Sequence, residues 1–254
     1  MGQLDGQISL ITGAAGGIGS GIARAFVREG AAVALLDHSG TRLEALEAEL
    51  VASGGEVLAV AADLTCATEV SQAVVQAVAR FGRLTSLVNA AGLLRQGRVD
   101  EMAEQDWNDL MAVNVTGVFL ACKYAVPALK VAGGSIVNLS SVSAFVGSDG
   151  SFAYSVSKGA VLSLTYGIAQ ELGPFGIRVN ALCPGWVDAG FTHQAMQGAA
   201  DPRLLEQQAR DAHVLGRMAT PGEIADAAVF LTSGAASFIT GTALNVDGGF
   251  MIKR

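Results

Sequence analysis

The chain of 254 residues is 51% hydrophobic, holds 32 glycines and carries a net charge of −7. That much apolar material can bury a large core, and a single α/β domain spanning 1–254 is expected. The acidic balance and the lack of any Lys/Arg run argue against nucleic acid or an anionic membrane as partner, since both need clustered positive charge. No apolar stretch is read as approaching the roughly twenty residues that span a bilayer. The opening Met1-Gly-Gln-Leu-Asp-Gly lacks a basic segment followed by an apolar one, so a cytoplasmic location is expected.

The first strand, 8–11, breaks into Thr12-Gly13-Ala-Ala-Gly16-Gly17-Ile18-Gly19 and feeds a helix over 18–29 with Ile18, Ile22, Ala25 and Phe26 on one side. Glycines let the backbone turn sharply and approach an anion. The free N–H groups and positive end of the helix dipole then face a pyrophosphate. The spacing Gly13-x-x-x-Gly17-x-Gly19 differs from the general G-x-G-x-x-G fingerprint, and an ordinary strand-to-helix turn is its bland reading. No Gly-Lys-Ser/Thr follows, which disfavours a P-loop.

The second strand, 32–37, ends in Asp37, eighteen residues after Gly19, where a dinucleotide fold places the acid that accepts from the adenosine ribose. A 2′-phosphate would meet that carboxylate without a compensating base, because His38 follows Asp37 and Gly16 precedes Gly17. NAD is the expected cofactor. The structural reading is a carboxylate that ends a strand or caps the helix predicted from 41 to 53, in which Leu43, Leu46 and Leu50 recur at helical spacing.

A strand at 57–61, a helix at 68–81, a strand at 86–89, a long helix at 104–132 and a strand at 135–139 follow, and then two adjacent serines, Ser140 and Ser141. The next helix, 154–173, opens with Tyr154 and Lys158, whose four-residue offset stacks them on one face. A phenol beside an ammonium is an acid/base device: the cation favours the phenolate, so proton exchange nearer neutral pH is expected. The same pair also occurs on solvated helix faces. After a strand at 178–183 comes the least regular stretch, 185–216, with Trp186, Phe191 and Met196. It lies beyond the carboxyl end of a strand, where open α/β sheets bind ligands, and is expected to fold over the site as a lid. A helix at 221–233 and a strand at 243–246 complete the alternation of a parallel sheet covered on both faces. Cys66, Cys122 and Cys183 form no C-x-x-C and His38, His193 and His213 show no ligand spacing, so free thiols and no catalytic metal are expected.

The glycine turn, the carboxylate at Asp37 and the Tyr154/Lys158 pair occur in the order found in one family. The chain resembles the short-chain dehydrogenase/reductases, in their compact single-domain branch. The resemblance covers nearly every residue and includes Thr12-Gly13 to Gly19, Asp63-Leu64, Asn89-Ala-Ala-Gly92, Asn114, Ser141, Tyr154, Lys158, Pro184-Gly185 and Val246-Asp-Gly-Gly249. It implies a three-layer doubly wound (Rossmann) fold with a seven-stranded parallel sheet, and the lid at 185–216.

The resemblance further implies an NAD(H)-dependent oxidoreductase that moves a hydride between nicotinamide and a secondary alcohol or ketone, with Tyr154 as general acid/base. Ser141, thirteen residues before Tyr154, is the serine it selects to bind the substrate oxygen; Lys158 binds the nicotinamide ribose, and Asn114 holds a water that links Lys158 to solvent. On the cofactor side it implies Gly13, Gly17, Ile18 and Gly19 at the pyrophosphate, Asp37 at the ribose, and Asp63 and Leu64 at the adenine. Asn89, Ala90 and Gly92 fall under the adjoining ribose, and Val187, after Pro184 and Gly185, meets the carboxamide. Ala189 departs from the pattern, since many members have a threonine there; Thr192 is the nearby hydroxyl. Leu93, Leu94, Phe145, Val146, Phe152, Trp186 and Phe191 suggest an apolar pocket for a ketone, cyclic alcohol, dihydrodiol, steroid-like or 3-oxoacyl thioester substrate. Family members are commonly homotetramers. The competing readings are a non-catalytic NAD-binding regulatory or scaffold protein on the same fold, and a sugar-nucleotide epimerase or dehydratase, which would call for a larger carboxy-terminal substrate domain.

Overall fold

A computed structural model describes residues 2–253. Seven parallel strands form one sheet in the order β3-β2-β1-β4-β5-β6-β7. They run β1 Ile8–Thr12, β2 Ala32–Asp37, β3 Val57–Ala61, β4 Ser86–Asn89, β5 Gly134–Leu139, β6 Ile177–Pro184 and β7 Ala243–Val246. The order reverses between β1 and β4, which pair from Ser9↔Ser86 to Thr12↔Asn89. That reversal opens a crevice beyond the strand carboxyl ends.

On one face lie α1 Gly17–Arg28, α2 Gly40–Ala52 and α9 Pro221–Thr232; on the other lie α3 Ala67–Phe81, α5 Gly117–Ala132 and α6 Phe152–Leu172. Each helix buries the stripe its sequence period dictates: Ile22, Ala23 and Phe26 from α1, Leu43, Leu46 and Leu50 from α2, and Val70, Ala73, Val74 and Ala77 from α3. All five residues of β1 are buried, as expected of a strand covered on both faces. Helix α9 begins in a capping box: the Thr220 Oγ1 accepts the Glu223 N–H at 3.3 Å and Glu223 Oε2 accepts the Thr220 N–H at 2.8 Å.

Two features depart from the sequence reading. The helix expected over 104–132 is divided into α4 Glu104–Met111 and α5 by a π-helical turn, Ala112–Thr116, in which the Gly117 N–H bonds the Ala112 carbonyl. The same run, Glu104–Ala132, also contains an 18-residue window with a mean hydropathy of 1.4, long and apolar enough by length and composition to cross a membrane, correcting the expectation that no stretch comes close. Here its apolarity serves the core: Val118, Leu120, Ala121, Cys122, Ala125 and Leu129 are buried against the sheet and α3.

Within 185–216 the chain forms α7 Phe191–Gly198 and α8 Pro202–Asp211. Helix α8 starts where Asp201 Oδ1 accepts the N–H groups of Arg203 and Leu204, with Pro202 in the first turn. A buried polar ladder crosses the middle of the sheet: Asn89 Nδ2 donates to Asn138 Oδ1 at 2.8 Å, Asn138 Nδ2 to Thr165 Oγ1 at 2.9 Å, and Thr165 Oγ1 to the Val161 carbonyl at 2.8 Å. It ties β4 and β5 to the helix that carries Tyr154 and Lys158.

Candidate active site

After β1 the backbone turns at Gly13, whose φ of +64° favours glycine, and a Cβ there would lie 2.4 Å from Ala91 Cα. A Cβ on Gly19 would lie 2.1 Å from the Gly13 carbonyl oxygen, so the turn closes only with hydrogen at both positions. Gly17 opens α1, whose first turn has neither a side-chain cap nor an acidic residue, while Ile18 packs on the adjoining core. A helix end left with uncapped N–H groups and no competing acid suits a pyrophosphate. Asp37, 6% exposed at the end of β2, accepts the Ala15 N–H at 3.0 Å and the Ser39 N–H at 3.1 Å, which wires the carboxylate to the glycine turn. These residues fit a nicotinamide dinucleotide.

Of the remaining cofactor-side residues, Asp63 Oδ1 accepts the N–H and hydroxyl of Thr65, each at 2.8 Å, at the exposed end of β3, and Leu64 is buried beside Gly117. Asn89 does not reach outward with its side chain, which is committed to Asn138 and, at 3.4 Å, to the Cys122 sulfur. Its successors Ala90, Ala91 and Gly92 offer backbone instead, with Ala91 against Gly13 and Gly92 beside Asn114 and Phe191. At the end of β6, Pro184 pairs with Val246, the Gly185 N–H bonds the Val246 carbonyl at 3.3 Å, and Val187 is buried and bridged to Ala219. The segment after β6 packs directly on the glycine turn: a Cβ on Gly17 would meet Ala189 Cβ at 2.7 Å and the Gly190 nitrogen at 2.8 Å. Thr192 is buried in the first turn of α7, its N–H on the Ala189 carbonyl.

The structure brings Ser141, Tyr154 and Lys158 together. The Ser141 hydroxyl accepts the Ser143 N–H at 3.1 Å and neighbours the Tyr154 phenol. Lys158 Nζ stands 5.5 Å from the Tyr154 ring centroid and donates to the Leu139 carbonyl at 2.8 Å. Phe191 meets the Tyr154 ring edge-on, 6.4 Å between centroids, so α7 lies on the site. Ser140, the other serine considered, donates instead to the Lys158 carbonyl at 2.9 Å. Asn114, fully buried in the π turn, accepts the Leu93 N–H at 2.7 Å and donates to the Leu93 carbonyl and to Ser157 Oγ, each at 3.0 Å. Both amide hydrogens are thereby used by the protein, and Asn114 fastens the loop after β4 to α6.

Burial pushes the Tyr154 phenol up to about 12, an effect the Ser141 hydrogen bond only partly offsets. That corrects the expectation of a phenol made acidic by its neighbour: in the protein by itself burial holds the phenol above its ordinary value. Burial likewise pushes Lys158 down to about 8, opposed by Cys183 close by. A lysine whose folded pKa lies below its unfolded one destabilises the fold fully below pH 8, and the penalty fades as pH rises toward 10.5. Denaturant unfolding should therefore show wild type gaining about 2–3 kcal/mol relative to Lys158→Met between pH 7.5 and 10.5. A pH-independent difference would mean Lys158 is not held in a desolvated state.

Ser157, Leu139 and His213 were not singled out from sequence. Ser157, on the turn between Tyr154 and Lys158, donates a hydrogen bond to the Tyr154 carbonyl at 2.8 Å while accepting from Asn114. Leu139 takes part through its backbone, which leaves no residue-type signal. Among the described residues no three His, Cys, Asp or Glu side chains gather as a metal site.

A doubly wound sheet with a glycine turn at its switch point and a Ser-Tyr-Lys group beside it defines a dinucleotide-dependent oxidoreductase. A family model described as enoyl-(acyl carrier protein) reductase matches residues 13–251. The chain is 40% identical to D-threitol dehydrogenase of Mycolicibacterium smegmatis over 99% of its length and 95% of that protein's. It is also 40% identical to 2-(S)-hydroxypropyl-CoM dehydrogenase 3 of Xanthobacter autotrophicus, covering 97% of each chain. The crystal structure of a dehydrogenase/reductase from Sinorhizobium meliloti superposes with a TM-score of 0.89 at 34% identity, over 97% of this chain and 96% of that one. The chain belongs to the short-chain dehydrogenase/reductase family, and is an oxidoreductase acting on alcohols or ketones with a nicotinamide cofactor.

Proposed function

We propose that this enzyme interconverts a secondary alcohol and a ketone with NAD(H), Tyr154 acting as general acid/base. The observation that carries the reading is the Ser141 hydroxyl beside the Tyr154 phenol, with the Lys158 ammonium 5.5 Å from the centre of the same ring. The bound cofactor supplies or accepts the hydride at its nicotinamide ring. Gly13, Gly17, Ile18 and Gly19 would hold its pyrophosphate, Asp37, Asp63 and Leu64 its adenosine half, and Asn89, Ala90, Gly92, Pro184, Gly185 and Val187 its other half.

In reduction, the Tyr154 hydroxyl gives its proton to the carbonyl oxygen; in oxidation, the phenolate takes the hydroxyl proton back. A phenol held near 12 is a weak acid, so the work of lowering it falls to Lys158 together with the charge brought by the oxidised cofactor. Ser141 is oriented for the substrate oxygen: because its oxygen accepts from the Ser143 N–H, its own proton is free to donate there. Asn114 supports the group by locking the Leu93 loop to α6, and would hold the water that links Lys158 to solvent. Leu93, Leu94, Phe145, Val146, Trp186 and Phe191 would make the pocket mostly apolar, which suits a ketone, cyclic alcohol, dihydrodiol, steroid-like or 3-oxoacyl thioester substrate, whereas Phe152 stacks on Trp107 with 6.0 Å between centroids. The two relatives named above act, by their names, on hydroxylated compounds. Helices α5 and α6 leave Phe119, Val156 and Tyr166 exposed, an apolar face that supports a homotetramer. Free cysteines suit a reducing, cytoplasmic setting.

The test is NADH formation on a panel of secondary alcohols; no turnover with any of them, at saturating NAD+ and NADP+, would remove the reading. The cofactor preference rests on Asp37. Asp37→Ala would also strip the acceptor from the Ala15 N–H, so Asp37→Asn is the cleaner change. It should narrow the NAD+/NADP+ ratio of kcat/KM by about tenfold to a hundredfold, because a like-charge clash with the 2′-phosphate is removed. A wild type that already prefers NADP+ would overturn the reading of Asp37.

A further inference from the structure

The segment that follows β6 is gripped from two sides. On one side the Trp186 carbonyl accepts the Ala219 N–H at 2.9 Å and the Asp188 N–H donates to the Ala219 carbonyl at 2.8 Å. On the other stands His213, 1% exposed, just past the end of α8. Its Nδ1 lies 2.8 Å from the Ala209 carbonyl and its Nε2 3.2 Å from the Trp186 nitrogen. A carbonyl can only accept and a backbone N–H can only donate, so Nδ1 must carry the proton and Nε2 must be bare. The ring is therefore a neutral imidazole of assigned tautomer.

Nothing about this ring is left loose. A Cβ on Gly185 would sit 2.5 Å from His213 Nε2, so glycine is what lets the imidazole reach the backbone of its neighbour. Phe250 tilts against the ring with 5.7 Å between centroids. The Lys253 ammonium bonds the His213 carbonyl at 2.9 Å and the Asp211 carbonyl as well, strapping the carboxy-terminal tail across the end of α8. The histidine thus joins three parts of the chain, the lid, the tail and the residues immediately before Val187.

We propose that His213 is a positioning residue for the nicotinamide half of the cofactor: by accepting the Trp186 N–H it fixes the backbone at Val187 that meets the carboxamide. The inference rests on the NAD(H) reading above. Loss of that acceptor frees residues 186–188 on one side while leaving the glycine turn and Asp37, which serve the other half of the cofactor, untouched.

The test compares NADH with ADP-ribose, which has the same adenosine diphosphate half and lacks nicotinamide, by calorimetric titration of the full chain, with melting temperatures in parallel. His213→Asn keeps a donor at the Nδ1 position and loses the acceptor; His213→Gln can place Oε1 where Nε2 stood. His213→Asn should bind NADH about tenfold more weakly with ADP-ribose changed by less than about twofold, and His213→Gln should recover most of the NADH affinity. Equal weakening of both ligands, unchanged NADH affinity in His213→Asn, or a glutamine variant no better than asparagine would each overturn the proposal. So would failure of both variants to fold, since His213 would then be holding the fold rather than the segment. A wild type that binds neither NADH nor ADP-ribose would instead bring down the cofactor reading, and this proposal with it.

Discussion

Tyr154→Phe should cut kcat by about a thousandfold, some 4 kcal/mol of transition-state stabilisation, while NADH binds within about twofold of wild type. The phenylalanine ring keeps the edge contact with Phe191 and the packing against Lys158, so only the hydroxyl is lost. With it go the proton and the partner of Ser141. The glycine turn and Asp37, proposed to bind the cofactor, do not depend on that oxygen. Stopped-flow single turnovers with saturating cofactor separate the step from binding. Turnover within about tenfold of wild type would exclude Tyr154 as the proton carrier.

The second large effect is expected at Asn114. Asn114→Leu places an apolar side chain of similar size where one amide satisfies the N–H and the carbonyl of Leu93 and meets Ser157. Two backbone groups of the loop after β4 lose their partners, at about 1–3 kcal/mol each. A loss of about 2–6 kcal/mol lowers the melting temperature of a chain this size by roughly 10 °C. Activity should fall as well, because α6 loses its tie to Leu93. Asn114→Asp, which keeps an acceptor for the Leu93 N–H, should sit between the two in stability. A leucine variant that melts within about 2 °C of wild type would show that water fills the gap and that Asn114 carries no structural load.

The architecture was legible because it rests on local pattern. Strands such as Ala32–Asp37 are short apolar runs, and helices such as α2 show Leu43, Leu46 and Leu50 at helical spacing. Gly13, Gly17 and Gly19 and the Tyr154/Lys158 offset are equally local, since a turn and one helix face place them. What escaped depends on partners distant in sequence. The π turn at Ala112–Thr116 surrounds an asparagine whose acceptor and donor, Leu93, lie 21 residues back. His213 and Trp186 are 27 residues apart, and no spacing rule joins a histidine to a backbone N–H. The Tyr154 shift runs opposite to the sequence expectation because desolvation belongs to the packed fold, whereas the adjacent charge is legible from the helix alone. Helix α8 could have been found from its own residues: Asp201-Pro202 is a start signal, overlooked inside a stretch read as irregular.

The ladder Asn89–Asn138–Thr165 constrains how this chain can diverge. A hydrophobic replacement at one rung strands the amide or hydroxyl facing it, whereas exchanging facing rungs together for apolar groups of equal volume is close to neutral. Descendants should therefore inherit the trio whole or lose it in concert, and single-step intermediates should be rare among them.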